Sequence, residues 1–529
     1  MATGGGVLWL GSLRLSIRST DNPLIGLSVL LAARYAFFRS TPLLGVAGWS
    51  IRDLDARARA ALPILSDRLA GLSRRRSILL VVATVSTAIV LKAIYAYADP
   101  GFFSGDDVEV QEMALKALRH TSWPIWDLRN AFFPIGFIYP AQRALSEAGM
   151  VSVPTLVFGG RLAVAILSSL TIWALWEVSR RTLGGWGWPA VTAIAFAAAK
   201  MSIAFGSSEL PRPVAALFVV SGFGLLQSRS FARNGAAGIL LGLAACFRFS
   251  EYTFVLAAAG YLCWQRRFSD AVLVISVATA TATAVLGLCD LWYWGDPFHS
   301  LRAALDYTLV KRLSSRGYQG PFWYLLHAVE WTNPVVLLLA LFAGSRRLSA
   351  ATFWAWLPLI ALSVLPHKEG RYAIPLLPFL YLEAAAGAKL LIERTSDLPR
   401  HWPLAFVAVF LVSLLQDVGH WRLPRTNDDV RFLWAAEKAI PTNARLAGEQ
   451  AWRFGGHLYL GDRDLVDLDP ALITSESILQ HLRRRDWLIL DTRSLAQPGV
   501  AAQLERAAYR RLTVLPAHSS RYTLWTPEP

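Results

Sequence analysis

Charged residues and cysteines are scarce in this chain. Asp, Glu, Lys and Arg make up 17% of its 529 residues, below the roughly one quarter that is typical of soluble domains. The three cysteines, Cys246, Cys263 and Cys289, all lie in or beside apolar runs. Their number and spacing predict neither a disulfide framework nor a zinc site. The nine histidines show no metal-ligand spacing either, so we expect no bound metal.

Several catalytic motifs are missing as well. The sequence has no P-loop, no Rossmann fingerprint and no Gly-X-Ser-X-Gly element. It therefore supports neither a nucleotide-driven reaction nor a serine hydrolase, and we expect no cofactor. No repeat of fixed period runs along the chain. Its first residues lack the charged, apolar and cleavage-site layout of a signal peptide.

Apolar residues dominate what is present. Hydrophobic residues make up 54% of the chain, and the mean hydropathy is +0.39, which together indicate a large integral membrane protein. The formal net charge of +15 comes from arginines in short clusters between apolar runs. This placement is typical of cytoplasmic loops under the positive-inside rule, and no aromatic-basic motif points to nucleic acid instead.

The apolar runs predict about eleven transmembrane helices. An arginine triplet at residues 74–76 precedes the first run and places its N-terminal end in the cytoplasm. An odd number of spans then places the tail outside the cell. The arginines at 180–181, 229–233, 266–267 and 346–347 then all fall on the cytoplasmic side, as they should. The runs are residues 78–97, 155–178, 188–205, 214–226, 236–247, 252–264, 271–288, 334–343, 350–365, 372–392 and 404–415.

One stretch of the chain decides whether the number of spans is odd or even. The runs at 236–247 and 252–264 are each too short to cross about 30 Å as upright helices. Joined as one span, they would put every later arginine pair outside. We therefore expect two short helices that meet at residues 248–251 in a cavity lined by protein.

The chain divides into three predicted parts. Residues 1–75 form a cytoplasmic or interfacial extension, with an amphipathic helix at 52–72 on the membrane surface. Residues 76–420 form the transmembrane module, whose first outer loop is 98–154. Residues 421–529 form a small extracytoplasmic α/β domain. Its helices are expected at 428–439, 476–484 and 500–508, and its strands at 444–448, 487–491, 511–515 and 521–525.

Polar residues that interrupt the spans gather on the outer side. Asp106 and Asp107, here called the acidic pair, precede a helix-like stretch in the first outer loop. Adjacent carboxylates repel each other, so one of them can have a raised pKa suited to a general base. A helix N-cap is the ordinary alternative. The basic block, residues 367–371, contains Lys368 and Arg371, which can share a helix face and bind a phosphate together with His367.

These landmarks resemble glycosyltransferase family 22, the polytopic mannosyltransferases of the GT-C superfamily. Residues 367–372, followed by prolines, are similar to the family's His-Lys-Glu-x-Arg-Phe block. The acidic pair stands where the family has Asp-Glu in its first lumenal loop, and residues 290–295 are similar to an Asp-x-x-Tyr-x-Gly stretch. The family's His-Pro before the acidic pair is Ser104-Gly105 here. The resemblance covers roughly residues 99–386.

The resemblance implies a GT-C fold and an inverting transfer of a sugar, with mannose expected, from a polyprenyl- or dolichyl-phosphate donor to a glycan or lipid-linked acceptor. Asp106 would be the base, with Asp107 as its partner or substitute. His367, Lys368 and Arg371 would stabilise the leaving phosphate. The reaction requires no metal. The expected cavity residues are Glu209, Arg248, Glu251, Asp290, Tyr293 and Glu369.

Two other classes stay open from the residues alone. A transporter or flippase for a lipid-linked sugar could use the same cations, and an O-antigen-type ligase or polymerase would take a diphosphate-linked donor. The chain shows no internally repeated halves, and a large outer domain at one terminus favours an enzyme. The arginine- and alanine-rich composition indicates a bacterial inner membrane with the site facing the periplasm, or the ER lumen in a eukaryote.

Overall fold

A computed structural model describes most of the chain. The described residues are 6–10, 13–17, 51–98, 105–123, 125, 130–311, 319–365, 367–393, 428–449, 456–468, 475–513 and 522–528. The backbone at Asp106 and Asp107 is among them, but their side chains are not.

Helices make up nearly all of the membrane part. A short hairpin of β1 (Gly6–Leu10) and β2 (Leu13–Ile17) precedes them. The helices are α1 Ile51–Ala70, α2 Arg74–Ala98, α3 Gly105–Arg119, α4 Tyr139–Glu147, α5 Val153–Leu183, α6 Gly187–Ala197, α7 Lys200–Gly206, α8 Pro211–Leu226, α9 Phe231–Phe247, α10 Thr253–Trp264, α11 Phe268–Trp294, α12 His299–Leu305, α13 Trp323–Leu326, α14 Ala328–Trp331, α15 Pro334–Arg346, α16 Ala350–Val364 and α17 Leu377–Glu393.

Tighter and wider turns join some of these helices. Phe249–Tyr252 and Gly370–Leu376 are 3₁₀-helices, whereas Pro134–Ile138 and Asp306–Val310 are π-helical. Helix starts follow local sequence: proline is the first residue of α8 and α15, where its missing N–H costs nothing. The Asn333 side chain caps α15, and Ser349 forms a capping box with Thr352 at the start of α16.

The predicted runs correspond to helices. Ten of the eleven coincide with helices in the structure, and the eleventh, residues 404–415, lies outside the described residues. Within the described chain, four helical segments are long and apolar enough to cross a membrane: α2, α5, α11 and Gly370–Glu393. Two bent pairs, α6 with α7 and α15 with α16, raise that number to six if each is one span. The protein is therefore a multi-pass integral membrane protein.

The break at residues 248–251 has the predicted form. Helix α9 ends at Phe247, a 3₁₀ turn follows, and α10 begins at Thr253. Arg233 near the start of α9 and Trp264 at the end of α10 line one cavity. The start of α9 and the end of α10 therefore lie at the same end of the bundle. Residues 236–264 are a helical hairpin and not one long span.

Helix α1 packs against the membrane helices by a close backbone approach. A Cβ at Gly187 would stand 2.2 Å from the carbonyl oxygen of Leu69, so only glycine allows α1 to lie this near to α6. Leu62 of α1 is buried in a cluster with Trp188 and Ile392. The helix predicted at 52–72 is confirmed.

The C-terminal region contains the predicted α/β elements, one more strand and two more short helices. Its helices are α18 Asp428–Ala439, α19 Gly456–Leu460, α20 Ser475–Arg483, α21 Thr492–Leu495 and α22 Val500–Arg506. Its strands are β3 Leu446–Glu449, β4 Leu465–Leu468, β5 Trp487–Asp491, β6 Tyr509–Leu512 and β7 Tyr522–Pro527. The sheet order is β4-β3-β5-β7-β6, with β3 parallel to β4 and β5 and the other pairs antiparallel.

This region packs against the first outer loop. Leu115 and Trp123 share a buried cluster with Leu458 and Tyr459 of the C-terminal region. Val157, near the start of α5, belongs to the same cluster. The C-terminal region therefore lies at the end of the helix bundle where α5 begins.

Candidate active site

The helix that starts with the acidic pair is fixed by one buried glutamine. Gln111 lies on α3, one turn after Asp107. Its amide nitrogen donates to Glu209 Oε1 at 3.0 Å, and its amide oxygen accepts from Gln142 at 2.6 Å. Because Gln111 and Gln142 are fully buried, losing a partner would cost about 1–3 kcal/mol. These bonds set the position of the backbone that carries the acidic pair.

Glu209 in turn pairs with an arginine inside the bundle. Arg161 Nε lies 2.5 Å from Glu209 Oε1, and both side chains are buried. Arg161 also donates to the carbonyl oxygen of Ala96 at the end of α2. Breaking a buried pair of this kind typically costs 3–5 kcal/mol, because it leaves one charge uncompensated. The pair therefore holds α2, α5 and the start of α8 in register.

A second buried pair lies three residues further along the chain. Arg212 Nε is 3.3 Å from Glu251 Oε1, and the guanidinium stands 4.0 Å from the ring centre of Tyr372. Ser250 donates to Glu251 Oε2 at 2.8 Å. Arg248 lies within electrostatic range of both Glu251 and Tyr372. The predicted hairpin turn is thus adjacent to the residue that follows the basic block.

The basic block is ordered around its own glutamate. Arg371 and His367 both contact Glu369, the latter at 3.3 Å from Nε2 to Oε1. The Glu369 backbone carbonyl accepts from the Tyr324 hydroxyl at 3.2 Å. These contacts gather the Arg371 guanidinium and the His367 imidazole around one carboxylate at the start of the last described membrane segment.

Lys368 differs from the expectation that it shares a helix face with Arg371. The 3₁₀-helix begins only at Gly370, and Glu369 before it is extended. At Gly370 a Cβ would stand 3.1 Å from Trp331, so the close packing there favours glycine. The Lys368 ammonium is buried and donates to the carbonyl oxygens of Gln319, at 2.9 Å, and Leu365.

The segment at 290–295 contacts helices rather than the two ion pairs. Asp290 is fully buried, and its Oδ2 accepts from the backbone N–H and the hydroxyl of Ser300, at 2.9 and 2.7 Å. It thereby holds the first turn of α12. The Tyr293 ring lies under Lys116 of α3, with Nζ 5.6 Å from the ring centre. Asp290 therefore supports α12, whereas Tyr293 contacts α3.

Glu112 joins α3 to the C-terminal region. Its Oε1 accepts from the Leu458 backbone N–H at 3.3 Å. Burial raises its pKa from 4.5 to about 8, and the charge of Glu109 adds to the rise. Nearby, the Trp123 ring stacks on His457, with ring centres 5.3 Å apart. The acidic pair's helix is therefore braced by the C-terminal region.

The structure brings together most of the predicted residues. Glu209, Arg248, Glu251 and the basic block lie at the end of the bundle where α3 starts, whereas Asp290 and Tyr293 act as supports. Gln111, Arg161 and Lys92 were not predicted. Lone charges in apolar runs were a sufficient signal for the last two. Among the described residues, no three His, Cys, Asp or Glu side chains stand close enough to hold a metal ion.

The sequence of residues 119–420, more than half of the chain, matches the Alg9-like mannosyltransferase family. No curated protein matches the chain in sequence.

Similar solved structures share the fold. ArnT from Cupriavidus metallidurans in the apo state is 14% identical, and the similarity covers 85% of this chain and 99% of ArnT with a TM-score of 0.59. The crystal structure of ArnT bound to undecaprenyl phosphate has the same identity and coverage, with a TM-score of 0.56. The apo oligosaccharyltransferase from Archaeoglobus fulgidus is 12% identical over 80% of this chain and 70% of that one, with a TM-score of 0.52. The fold is that of the GT-C membrane proteins.

Proposed function

The chain belongs to the Alg9-like mannosyltransferase family and is a membrane glycosyltransferase, and we propose that it moves mannose from a polyprenyl-phosphate donor to a glycan or lipid-linked acceptor with inversion. The family's description as mannosyltransferases supports mannose as the transferred sugar. The crystal structure of ArnT with undecaprenyl phosphate supports the donor, because a relative in fold binds such a lipid.

One observation carries the proposal. Two buried contacts and a short stretch of chain connect the acidic pair's helix to the residue that follows the basic block. Gln111 bonds Glu209, Glu209 lies three residues before Arg212, and Arg212 stacks on Tyr372. This connection supports a site in which acids and cations from distant parts of the sequence lie at one end of the bundle. An inverting transfer to a hydroxyl group needs both on opposite sides of the reacting carbon.

The proposed reaction uses the acidic pair as the base. The Asp106 carboxylate, with Asp107 beside it, takes the proton of the acceptor hydroxyl while that oxygen bonds to the anomeric carbon. The bond from this carbon to the phosphate oxygen breaks, and polyprenyl phosphate leaves with the electron pair. Phosphate is already a good leaving group, so no general acid is required.

The cations stabilise the charge on that phosphate. The Arg371 and His367 side chains are 11% and 26% exposed, so a ligand can reach them. Lys368 donates to two carbonyl oxygens, and an ammonium has a third N–H to offer. Each donor aimed at a developing oxyanion is worth about 3–4 kcal/mol. We assign direct phosphate contact to Arg371 and His367, with Lys368 holding the block and adding one bond.

A donor assay tests the proposal. Purified protein is mixed with membranes of a deletion strain, as the source of acceptor, and given labelled polyprenyl-phosphate mannose. We expect release of polyprenyl phosphate and transfer of label to membrane glycans. The same protein is given polyprenyl-diphosphate mannose and a nucleotide-linked mannose in parallel. Turnover with either of these and not with the monophosphate would overturn the proposed donor.

Paired substitutions test the base. We expect Asp106→Asn with Asp107→Asn to abolish turnover while donor binding stays within about twofold, because the base acts on the acceptor. Glu109→Gln, which removes one carboxylate charge from the same helix, is the control and should keep its turnover. A double variant that still turns over at the normal rate would remove the acidic pair from the mechanism.

We propose that the site and the C-terminal region face away from the cytoplasm, in the periplasm of a bacterium. Arg180, Arg233 and Arg347 line one cavity at the opposite end of the bundle, and the positive-inside rule assigns arginine-rich ends to the cytoplasm. A C-terminal alkaline phosphatase fusion should be active and a C-terminal green fluorescent protein fusion dark. The reverse pattern would contradict the orientation.

A further inference from the structure

A cavity of about 790 Å³ opens at the end of the bundle opposite to the candidate active site. Four arginines from three parts of the chain line it, together with three aromatic residues. The lining includes Arg180, Arg181, Arg233 and Arg347, and the aromatic residues Phe223, Tyr261 and Trp264. This volume falls within the range of small-molecule sites, about 300–1,000 Å³.

Helix geometry separates this cavity from the active site. Arg161, in the buried pair, and Arg180, in the cavity, lie on the same helix, α5. At 1.5 Å per residue they are roughly 28 Å apart along its axis. Arg212 begins α8 and Ser228, just beyond its end, lines the cavity. A ligand in the cavity therefore has no contact with the reacting groups.

The charges in the cavity are only partly balanced. Glu177 pairs with Arg180 and Arg181, at 2.7 and 2.8 Å. Arg233 and Arg347 are exposed, and no carboxylate of the described residues forms a salt bridge with either. Arg347 lies within electrostatic range of Glu383, whose buried carboxylate accepts from the Ser349 hydroxyl.

We propose that this cavity binds a phosphate group, independently of the glycosyl transfer. Arginine offers a planar fork of N–H donors that matches two phosphate oxygens at once. Arg233 and Arg347 come from different helix ends and face one space, which the general excess of arginine in cytoplasmic loops does not explain. The phosphate is carried by an acidic phospholipid of the facing leaflet or by a soluble phosphate. Basic pockets between membrane helices bind phospholipid headgroups.

The aromatic residues bear on the source of the phosphate. Trp264 is 51% exposed, and its ring stands next to Tyr261, with centres 6.2 Å apart. Exposed tryptophan and tyrosine at a helix end are typical of the headgroup level of a bilayer. We therefore expect the lipid to bind more tightly than free phosphate.

The test measures binding of dihexanoyl phosphatidylglycerol, a short-chain lipid, to the purified full-length protein in neutral detergent. Arg233→Ala with Arg347→Ala should weaken binding about tenfold or more, because two charge-assisted bonds are lost. Arg75→Ala with Arg76→Ala removes the same charge near the start of α2, outside the cavity lining, and should change affinity less than twofold. Thermal unfolding verifies that each variant folds. Equal affinity of the cavity variant and the wild type would overturn the proposal, as would equal losses in both double variants.

A second arm distinguishes the sources. Inorganic phosphate replaces the lipid in the same titration. Weaker binding of phosphate than of lipid, with the same loss in the cavity variant, supports the phospholipid. Affinities that are equal for both ligands, and equally sensitive to the cavity variant, assign the cavity to a soluble phosphate. The single variant Arg347→Lys keeps the charge but not the planar guanidinium. If it binds both ligands like the wild type, the proposed contact of the Arg347 guanidinium with two phosphate oxygens is refuted.

Discussion

Replacing Glu112 by glutamine should remove a pH-dependent weakness at the contact between α3 and the C-terminal region. The Glu112 side chain is 1% exposed. Its Oε1 accepts from the Leu458 N–H, while Oε2 has no hydrogen-bond partner among the described residues. Glutamine has the same size and keeps an acceptor for Leu458. The substitution therefore removes the ionisable proton and little else.

The sign follows from the raised pKa. Burial raises the pKa of Glu112 to about 8 from 4.5, so between these values the folded protein holds a proton that the unfolded chain has lost. The free energy of unfolding then falls as the pH rises. The contribution is fully present below about pH 4.5 and is lost as the pH rises through about 8. The difference between the two pKa values corresponds to an upper limit of about 5 kcal/mol.

Thermal unfolding and hydrogen exchange of the purified protein in detergent measure this effect. At about pH 5 the Glu112→Gln variant and the wild type should differ little, and at about pH 8 the variant should unfold at a higher temperature. Amides of residues 456–468 should exchange more slowly in the variant at the higher pH only. Glu147→Gln, an exposed carboxylate paired with Arg143 on α4, is the control. Identical pH dependence of variant and wild type would refute the burial argument.

Three further substitutions have defined outcomes. Arg212→Lys keeps the charge but loses the planar guanidinium that faces Glu251. We therefore expect kcat to fall about tenfold to a hundredfold, while circular dichroism shows that the fold is intact. Trp123→Phe keeps the ring stacking but deletes the 2.6 Å bond to Asp462, which should cost about 1 kcal/mol and speed up proteolytic release of the C-terminal region. Lys92→Met removes a fully buried amine that donates to the Ser168 hydroxyl at 3.0 Å, so the unfolding temperature should rise, since a buried amine with one hydrogen bond to the described residues is costly. An unfolding temperature that falls would show that Lys92 stabilises the bundle.

The sequence was sufficient to predict the helices and their turning points because apolar length and arginine position are local signals. The hairpin at residues 248–251 is the clearest case. Two runs too short to span, separated by Arg248 and Glu251, predicted a turn inside the bundle, and α9 and α10 have that arrangement. The four-residue strand Leu465–Leu468, which pairs with β3, was missed.

Which charged side chains pair with each other could not be predicted from such local signals. A lone arginine in an apolar run signals that Arg161 has a partner, but the identity of Glu209 depends on how α5 and α8 pack. Lys368 illustrates the opposite error. A spacing of three suggested a shared helix face with Arg371, whereas the 3₁₀-helix begins only at Gly370 and Glu369 before it is extended. Local spacing carries no information about where such a helix begins.

The two buried ion pairs have a common consequence for the site. Arg161 and Glu209 come from α5 and the start of α8, and Arg212 and Glu251 from α8 and the hairpin turn. Shifting any one of these elements by a residue would separate a pair inside the bundle, at about 3–5 kcal/mol for each charge left alone. The pairs therefore fix register where apolar packing alone would tolerate sliding. Since Gln111 and Tyr372 are bound to the same pairs, the acidic pair's helix and the basic block inherit that fixed register, and this is the preorganisation that glycosyl transfer requires.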